Sequence, residues 1–101
     1  MPRVLTTSPA IVPSRHQPEY LATLGRLARR MRARGESLWV FRSAEAPDSF
    51  LEFSESRSLE DHRSRRRPEP EEGALEQRLR AIAEYAPDPA PLWIEVPLEE
   101  R

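Results

Sequence analysis

Cysteine, lysine and asparagine are all missing from this sequence of 101 residues. Without cysteine the chain forms no disulfide, thiolate nucleophile or zinc–sulfur site. Without lysine it has no Schiff-base chemistry, and without asparagine it lacks one amide that could orient a substrate oxygen. Glycine is scarce as well, with 3 residues and no glycine-rich phosphate loop. We therefore predict that the protein uses no cofactor.

Histidine and long apolar runs are also in short supply. His16 and His62 lie far apart without a nearby carboxylate pattern, so no metal site is predicted. No apolar stretch approaches the roughly 18 residues of a membrane-spanning helix. Residues 1–17 carry prolines rather than the apolar core of a signal peptide. These observations predict a cytoplasmic protein that does not bind membranes.

The one strongly basic stretch contains Arg63, Arg65, Arg66 and Arg67. A cluster of this kind could contact phosphate groups. The net charge of the whole chain is −1, however, and glutamates follow the cluster at once. The sequence also contains no recognised nucleic-acid motif. We therefore do not expect a nucleic-acid partner.

The length of the chain predicts a single domain over residues 1–101. A chain this short buries only about 60–65% of the surface that its unfolded form exposes. Hydrophobic residues make up 38% and charged residues 33%, which is enough apolar content to fold but little for a lone monomer. A partner subunit that completes the core is therefore expected.

Apolar periodicity and turn residues predict the elements of the first half. Residues 3–12 predict a strand that is interrupted or bulged near Pro9, because proline donates no backbone hydrogen bond. Residues 18–34 predict an amphipathic helix with its stop at Gly35. Two aromatic and β-branched stretches then predict the strands of a hairpin, at residues 38–43 and 49–55.

The second half of the sequence predicts two helices and a final strand. Ser58 opens a capping-box spacing, which predicts the start of a short helix. A mobile surface connection is expected at about residues 63–72, followed by a helix over 73–86 and a strand over 92–96. This order predicts an α+β domain with a ferredoxin-like βαββαβ antiparallel sheet.

The predicted strands carry apolar side chains on both faces. On the second strand Leu38 and Val40 share one side, while Trp39 and Phe41 share the other. A sheet that is solvated on one face would alternate more cleanly. Since two helices cover only one face, the sequence predicts that a second copy of the sheet covers the other. The expected assembly is a homodimer.

The order of elements and several local motifs resemble the dimeric α+β barrel superfamily, and within it the antibiotic-biosynthesis-monooxygenase-like group. The resemblance runs from Tyr20 to His62 and covers the helix that ends in Gly35. It also includes Val40-Phe41-Arg42, Pro47, Ser49-Phe50-Leu51-Glu52-Phe53 and Ser58-Leu59-Glu60-Asp61-His62. The tryptophan that often follows the third strand in this group would fall near Ser56, and no asparagine is available.

The resemblance implies a homodimer with a pocket between sheet and helices in each subunit. It also implies an activity, which is the cofactor-independent oxidation of an aromatic or polyketide-like small molecule. Members of the group differ, and many have no known activity. Whether this chain is an enzyme is therefore left open by the sequence.

Six residues are the candidates for a site. His62 could exchange a proton near neutral pH, and Arg42 could hold a carboxylate or steady an oxyanion. Glu52, if buried, could act as a base. The aromatic rings that could stack on a ligand are Trp39, Phe41 and Trp93.

Each of these candidates has a structural alternative. His62 could be a partly exposed helix residue, Arg42 could form a surface salt bridge, and the aromatic rings could belong to the core or the dimer interface. Two functional hypotheses follow. One is a dimeric, cofactor-independent monooxygenase that binds a small aromatic ligand, and the other is a non-catalytic dimeric binding or assembly module.

Overall fold

In the computed structural model, the described residues are 2–64, with only the backbone for Ser64, then 69–86 and 90–99. The helices are α1 (Gln17–Ala33), α2 (Leu59–Ser64) and α3 (Pro70–Ile82). The strands are β1 (Val4–Ile11), β2 (Ser37–Arg42), β3 (Ser49–Ser56), β4 (Glu84–Tyr85) and β5 (Leu92–Ile94). A single 3₁₀ turn at Ser14–His16 leads from β1 into α1.

The strands form one antiparallel sheet in the order β2-β3-β1-β4, with β5 also paired to β1. Strand β4 pairs with β1 at Ala10 and Ile11, while β5 pairs with it at Val4–Thr6. The two short strands therefore share the fourth position of the sheet. This is the strand order of a βαββαβ unit, so the predicted α+β, ferredoxin-like fold is confirmed.

Pro9 does not interrupt β1, which corrects the expected bulge. The pairing of β1 with β3 continues without a break from Val4 to Ile11, and Pro9 lies opposite Leu51. The carbonyl of Arg3 accepts a hydrogen bond from the Glu95 amide, on the side of β1 away from β3. Because backbone groups alternate along a strand, every second residue after Arg3 faces this same side, including Pro9. Pro9 faces that side at a point where neither β4 nor β5 pairs with it. Its missing N–H therefore costs the ladder nothing.

Helix α1 confirms the predicted amphipathic pattern. Its buried stripe contains Tyr20, Leu24, Leu27 and Met31, which pack against the sheet in the main hydrophobic core. Pro18 lies in the first turn, where its missing N–H needs no partner. After the helix, Gly35 has a φ of 82°, a left-handed backbone conformation that residues with a Cβ rarely adopt.

The predicted start of α2 is confirmed, whereas its last residues, Arg63 and Ser64, fall in the stretch expected to be a mobile connection, and the bounds of α3 are shifted. The Ser58 hydroxyl accepts a hydrogen bond from the Asp61 amide at 3.1 Å, as expected for a cap. Helix α3 begins at Pro70, three residues earlier than predicted, and ends at Ile82. Residues 84–85, expected to be helical, form β4 instead. Arg65, Arg66 and Arg67 of the basic stretch lie outside the described residues.

The two faces of the sheet differ in what covers them. The inner face, with Ala10 and Phe50, packs against α1 and α3. The outer face carries side chains that no described segment covers. Trp39 is 46% exposed, Phe41 58% and Trp93 57%. Both faces are therefore rich in apolar groups, as the strand pattern predicts, but only the inner face is buried within the chain. Within the described ranges, no helix is long and apolar enough to cross a membrane.

Candidate functional site

A cleft of about 930 Å³ lies between the inner face of the sheet and the two long helices. Apolar side chains from α1, β2 and α3 line much of it, namely Leu27, Met31, Leu38 and Leu79. The ionisable side chains that line it are Arg34, Glu52, Glu72, Glu76, Arg80 and Tyr85. The cleft is therefore a mainly apolar space with a small number of polar groups, which is the usual character of a small-molecule site.

One side of the cleft lies at the edge of β1. Residues 7–9 of β1 lie between the segments that pair with β5 and with β4, and all three residues line the cleft. Ala86, Ala90 and Pro91, which follow β4 and precede β5, line the same part of the cleft. The cleft therefore extends to the edge of β1 between the two short strands.

Glu52 is the central polar group of the cleft. It lies on β3 with its side chain on the inner face, where it is partly buried. Its Oε2 accepts two hydrogen bonds, from the Tyr20 hydroxyl at 2.7 Å and from the Tyr85 hydroxyl at 2.6 Å. Since both bonds end on the same oxygen, Oε1 is left for a ligand in the cleft. Two phenol donors therefore fix the orientation of a carboxylate in an apolar space.

Burial dominates the ionisation of these three groups. It raises the pKa of Glu52 above its ordinary value, although the hydrogen bonds from Tyr85 and Tyr20 act in the opposite direction. Burial, together with the neighbouring Glu52, also raises the pKa values of Tyr20 and Tyr85 far above that of a free phenol. The tyrosines consequently remain hydrogen-bond donors throughout the accessible pH range, and Glu52 is the group that changes its charge.

An ion-pair network occupies one end of the cleft. The Arg34 guanidinium binds Glu36, with Nε and Oε1 2.7 Å apart, and also binds Glu72. Glu36 in turn accepts a hydrogen bond from the Ser56 hydroxyl at 3.0 Å. Glu36 and Glu72 are both buried. The network connects the turn after α1 to α3 and β3. These charged groups are therefore already paired with one another and stabilise the walls of the cleft.

Two further charged residues of the cleft lie on α3. Glu76 and Arg80 stand one turn apart on α3, and both line the cleft. Burial raises the pKa of Glu76, and the positive charge of Arg80 partly offsets this. Among the described residues Arg80 forms no ion pair, in contrast to Arg34. Arg80 is therefore a cation of the cleft that can meet negative charge on a ligand.

The structure brings only Glu52 of the six predicted site residues to the cleft. Trp39, Phe41 and Trp93 lie on the outer face, because strand residues alternate and Glu52 pairs with Val40 rather than with Trp39. Their predicted stacking around the same pocket as Glu52 is therefore corrected: the sheet separates them from it.

The two predicted catalytic residues lie outside the cleft lining. Arg42 lies at the end of β2 with its guanidinium carbon 5.4 Å from the centre of the Phe50 ring. His62 is half-buried on α2, where its amide donates to the carbonyl of Ser58. Their roles in catalysis stay predictions from the sequence.

Sequence reasoning missed the residues that surround Glu52. Helical spacing puts Tyr20 on the buried face of α1, which the structure confirms, but its hydroxyl also binds a carboxylate across the core. Tyr85 falls within the helix predicted over residues 73–86 and instead lies on β4. The available signals are a carboxylate in an apolar strand and a tyrosine in the apolar stripe of the first helix. The pairing of Glu52 with both hydroxyls needed the tertiary structure.

The donor set of the cleft does not resemble a metal site. Among residues 2–64, 69–86 and 90–99, no group of three or more potential ligands converges in the way that a metal ion requires. What the arrangement can do is accept a proton at Glu52 beside a mainly apolar space, with a cation on the same cleft wall.

Solved structures of other proteins share the fold of this chain. No family model matches the chain, and no curated protein matches it by sequence. A conserved protein of unknown function from Bacteroides thetaiotaomicron, suggested to be an oxidoreductase, has a similar structure with a TM-score of 0.78 and 10% identity. The match covers 93% of this chain and 98% of that one.

Two further solved structures carry functional names. SnoaB, a cofactor-independent oxygenase from Streptomyces nogalater, is similar with a TM-score of 0.71 and 14% identity over 99% of this chain and 97% of that one. A proposed antibiotic biosynthesis monooxygenase from Bordetella bronchiseptica is similar with a TM-score of 0.70 and 15% identity over 98% of this chain and all of that one, 100%. The chain thus has the fold of antibiotic-biosynthesis-monooxygenase-like proteins of the dimeric α+β barrel type, and the expected resemblance is confirmed at the level of fold.

Proposed function

We propose that this chain is a homodimer that binds a small aromatic molecule in the cleft of each subunit and removes a proton from it with Glu52. The proton removal starts an oxidation by dioxygen that needs no cofactor. One observation carries the proposal: two tyrosine hydroxyls hold Oε2 of a partly buried carboxylate that lines the cleft, and neither of them binds Oε1. A fixed base in an apolar site is what the abstraction of a weakly acidic proton requires.

The chemistry balances with dioxygen as the co-substrate. Glu52 takes a proton from a methylene group flanked by aromatic rings, and the carbanion that remains transfers one electron to dioxygen. The two radicals then combine to a peroxide, which takes up a proton. Loss of water from this peroxide gives a carbonyl group, so one methylene group and one dioxygen yield one carbonyl group and one water molecule. Arg80 supplies positive charge on the same cleft wall while the substrate is negative.

The raised pKa of Glu52 supports its assignment as the base. Burial raises its pKa above the ordinary carboxyl value, which makes the carboxylate a stronger base than a solvated one. The hydrogen bonds from Tyr85 and Tyr20 favour the carboxylate form and limit this shift. His62, the base expected from the sequence, does not line the cleft, so the proposal does not depend on it.

The outer face of the sheet supports the homodimer. Trp39 pairs with Phe53 and Phe41 with Leu51, so aromatic and aliphatic side chains form a continuous patch on two neighbouring strands. The rings of Phe41 and Phe53 meet edge to face, with centroids 5.4 Å apart. Exposed apolar patches of this kind usually mark an interaction site. A second copy of the same sheet is the occupant that the resemblance implies.

The experiment that tests the oxidation uses anthrone, which has one acidic methylene group between two aromatic rings. The full-length protein should speed oxygen uptake and the formation of anthraquinone and water above the rate in buffer. Glu52→Gln should abolish the acceleration, because the amide cannot take the proton. Glu55→Gln is the matched control, since Glu55 lies on the same strand but pairs with Arg3 outside the cleft. Equal rates for wild type and Glu52→Gln, with anthrone bound by both, would refute the proposed base.

A non-catalytic assembly module is the second candidate, and the exposed aromatic patch of the outer face favours it. In this case the chain dimerises but does not act on the ligand. Anthrone oxidation at the buffer rate by a protein that is dimeric in solution would support this alternative against the first. A cleft that binds the ligand without turnover would then serve recognition alone.

A further inference from the structure

Tyr85 reaches Glu52 by crossing a strand. The order of the sheet places β1 between β4, which carries Tyr85, and β3, which carries Glu52. Two strand spacings amount to about 9.6 Å, and the two long side chains together bridge this span on the inner face. Their hydrogen bond of 2.6 Å therefore passes over the inner face of β1. Whatever side chain β1 presents at that point must leave room for the phenol ring.

The residues of β1 that lie under this bridge are small. Ala10 is the direct partner of Tyr85, and Ser8 is the direct partner of Glu52. Because paired residues of an antiparallel sheet share a face, Ala10 and Tyr85 point to the same side, as do Ser8 and Glu52. Ala10 is 1% exposed and belongs to the hydrophobic core, and it does not line the cleft. A larger side chain at Ala10 would occupy the space that the ring of Tyr85 crosses.

We propose that Ala10 is a positioning residue for the base: its small side chain lets Tyr85 cross β1 and hold Oε2 of Glu52, which directs Oε1 into the cleft. The inference rests on the proposed role of Glu52, because positioning matters only if that carboxylate acts on a ligand. Ala10 itself touches neither ligand nor proton. Its effect passes entirely through the bond between Tyr85 and Glu52.

The bond has a consequence that can be measured without any substrate. The Tyr85 hydroxyl stabilises the ionised form of Glu52, so losing this donor must raise the pKa of that carboxyl. A side chain at position 10 that displaces the ring should have the same effect as removing the hydroxyl. Two variants that share one mechanism should not add when they are combined.

The experiment is a ¹³C NMR titration of the full-length protein with labelled glutamate side chains, in which the Glu52 signal is assigned by its loss in Glu52→Gln. Tyr85→Phe and Ala10→Val should both shift the Glu52 titration to higher pH by similar amounts. The double variant should show no further shift. Val12→Ile is the control, because Val12 belongs to the same buried core but follows the end of β1 and pairs with neither Tyr85 nor Glu52.

Two results would overturn the inference. The first is that Glu52 titrates as in the wild type in a folded Ala10→Val protein, although its titration is shifted in Tyr85→Phe. The second is that the titration of Glu52 is not shifted in Tyr85→Phe. If Ala10→Val does not fold, Ala10→Cys takes its place, because it adds only one heavy atom. The Glu52 titration of Ala10→Cys should shift in the same direction by a smaller amount. If this shift is absent, the inference is overturned as well. The proposed oxidation is judged separately, since a failed anthrone assay with the predicted titrations refutes the activity and leaves the positioning of Glu52 standing.

Discussion

Trp39 and Glu52 lie on adjacent strands, yet their side chains leave opposite faces of the sheet. Glu52 pairs with Val40, which points with it toward the helices, while Trp39 pairs with Phe53 on the uncovered side. One sheet thus carries a buried carboxylate beside a cleft on one face and an aromatic patch on the other. The two surfaces can therefore be altered independently.

The ionisation of Glu52 should make the stability of the protein depend on pH. Its folded-state pKa lies above the ordinary value of 4.5, so the folded protein holds this proton more tightly than the unfolded chain. The stabilisation is complete below pH 4.5 and is lost as the pH rises through the folded-state pKa. Glu52→Gln removes this dependence. Urea unfolding of both proteins between about pH 4 and pH 8 should show the wild type losing stability relative to the variant. A difference that stays constant over this range would contradict the prediction.

The outer face should control the oligomeric state. Trp39→Ser combined with Phe41→Ser removes two exposed rings from the patch and should shift the protein from dimer to monomer. Sedimentation velocity measures the change. Leu21→Ser is the matched control, because Leu21 is an exposed apolar residue on α1 rather than on the sheet. The Glu52 titration of the monomeric variant should stay as in the wild type. An unchanged sedimentation coefficient would argue against this face as the interface.

The ion pair between Arg34 and Glu72 should contribute to the stability of the cleft wall. Glu72 is 6% exposed, and its carboxylate binds Arg34. Glu72→Gln removes one of the two carboxylate partners of Arg34, which keeps Glu36, and should lower the free energy of unfolding by roughly 1.5 kcal/mol, the scale of one hydrogen bond to a charged group. Arg26→Gln, an exposed change on α1, should stay within about 0.5 kcal/mol of wild type. Denaturant unfolding of both variants tests the contrast, and equal losses would refute it.

The two glycines of the α1 region should respond to alanine in opposite directions. Gly25 lies in the helix, and a Cβ there would meet open space, so Gly25→Ala should stabilise the protein by about 0.5–1 kcal/mol. Gly35 has a φ of 82°, and Gly35→Ala should destabilise the protein by about 1 kcal/mol. Thermal unfolding reports both effects. A gain in stability from Gly35→Ala would show that this turn tolerates a side chain.

Local patterns were sufficient for most elements of the fold. The stripe of α1 and the cap at Ser58 depend on neighbours within a few residues, and the structure confirms both. The prediction failed at residues 84–85, where pairing with β1 makes a strand of a segment with helical periodicity. A contact with a strand more than 70 residues away in sequence decides that conformation, so no local pattern could reveal it.

The sequence by itself determined the βαββαβ order, the amphipathic helix and the presence of apolar side chains on both faces of the strands, because these follow from periods of 3.6 and 2 along the chain. Only the tertiary structure decided which face is covered and which groups meet. The strand register places Glu52 on the inner face and Trp39 on the outer face. The strand order places Tyr85 beside Ala10, from where its hydroxyl binds the same carboxylate as Tyr20. A one-residue change of register would exchange the two faces, so the site depends on pairings between segments that are distant in sequence.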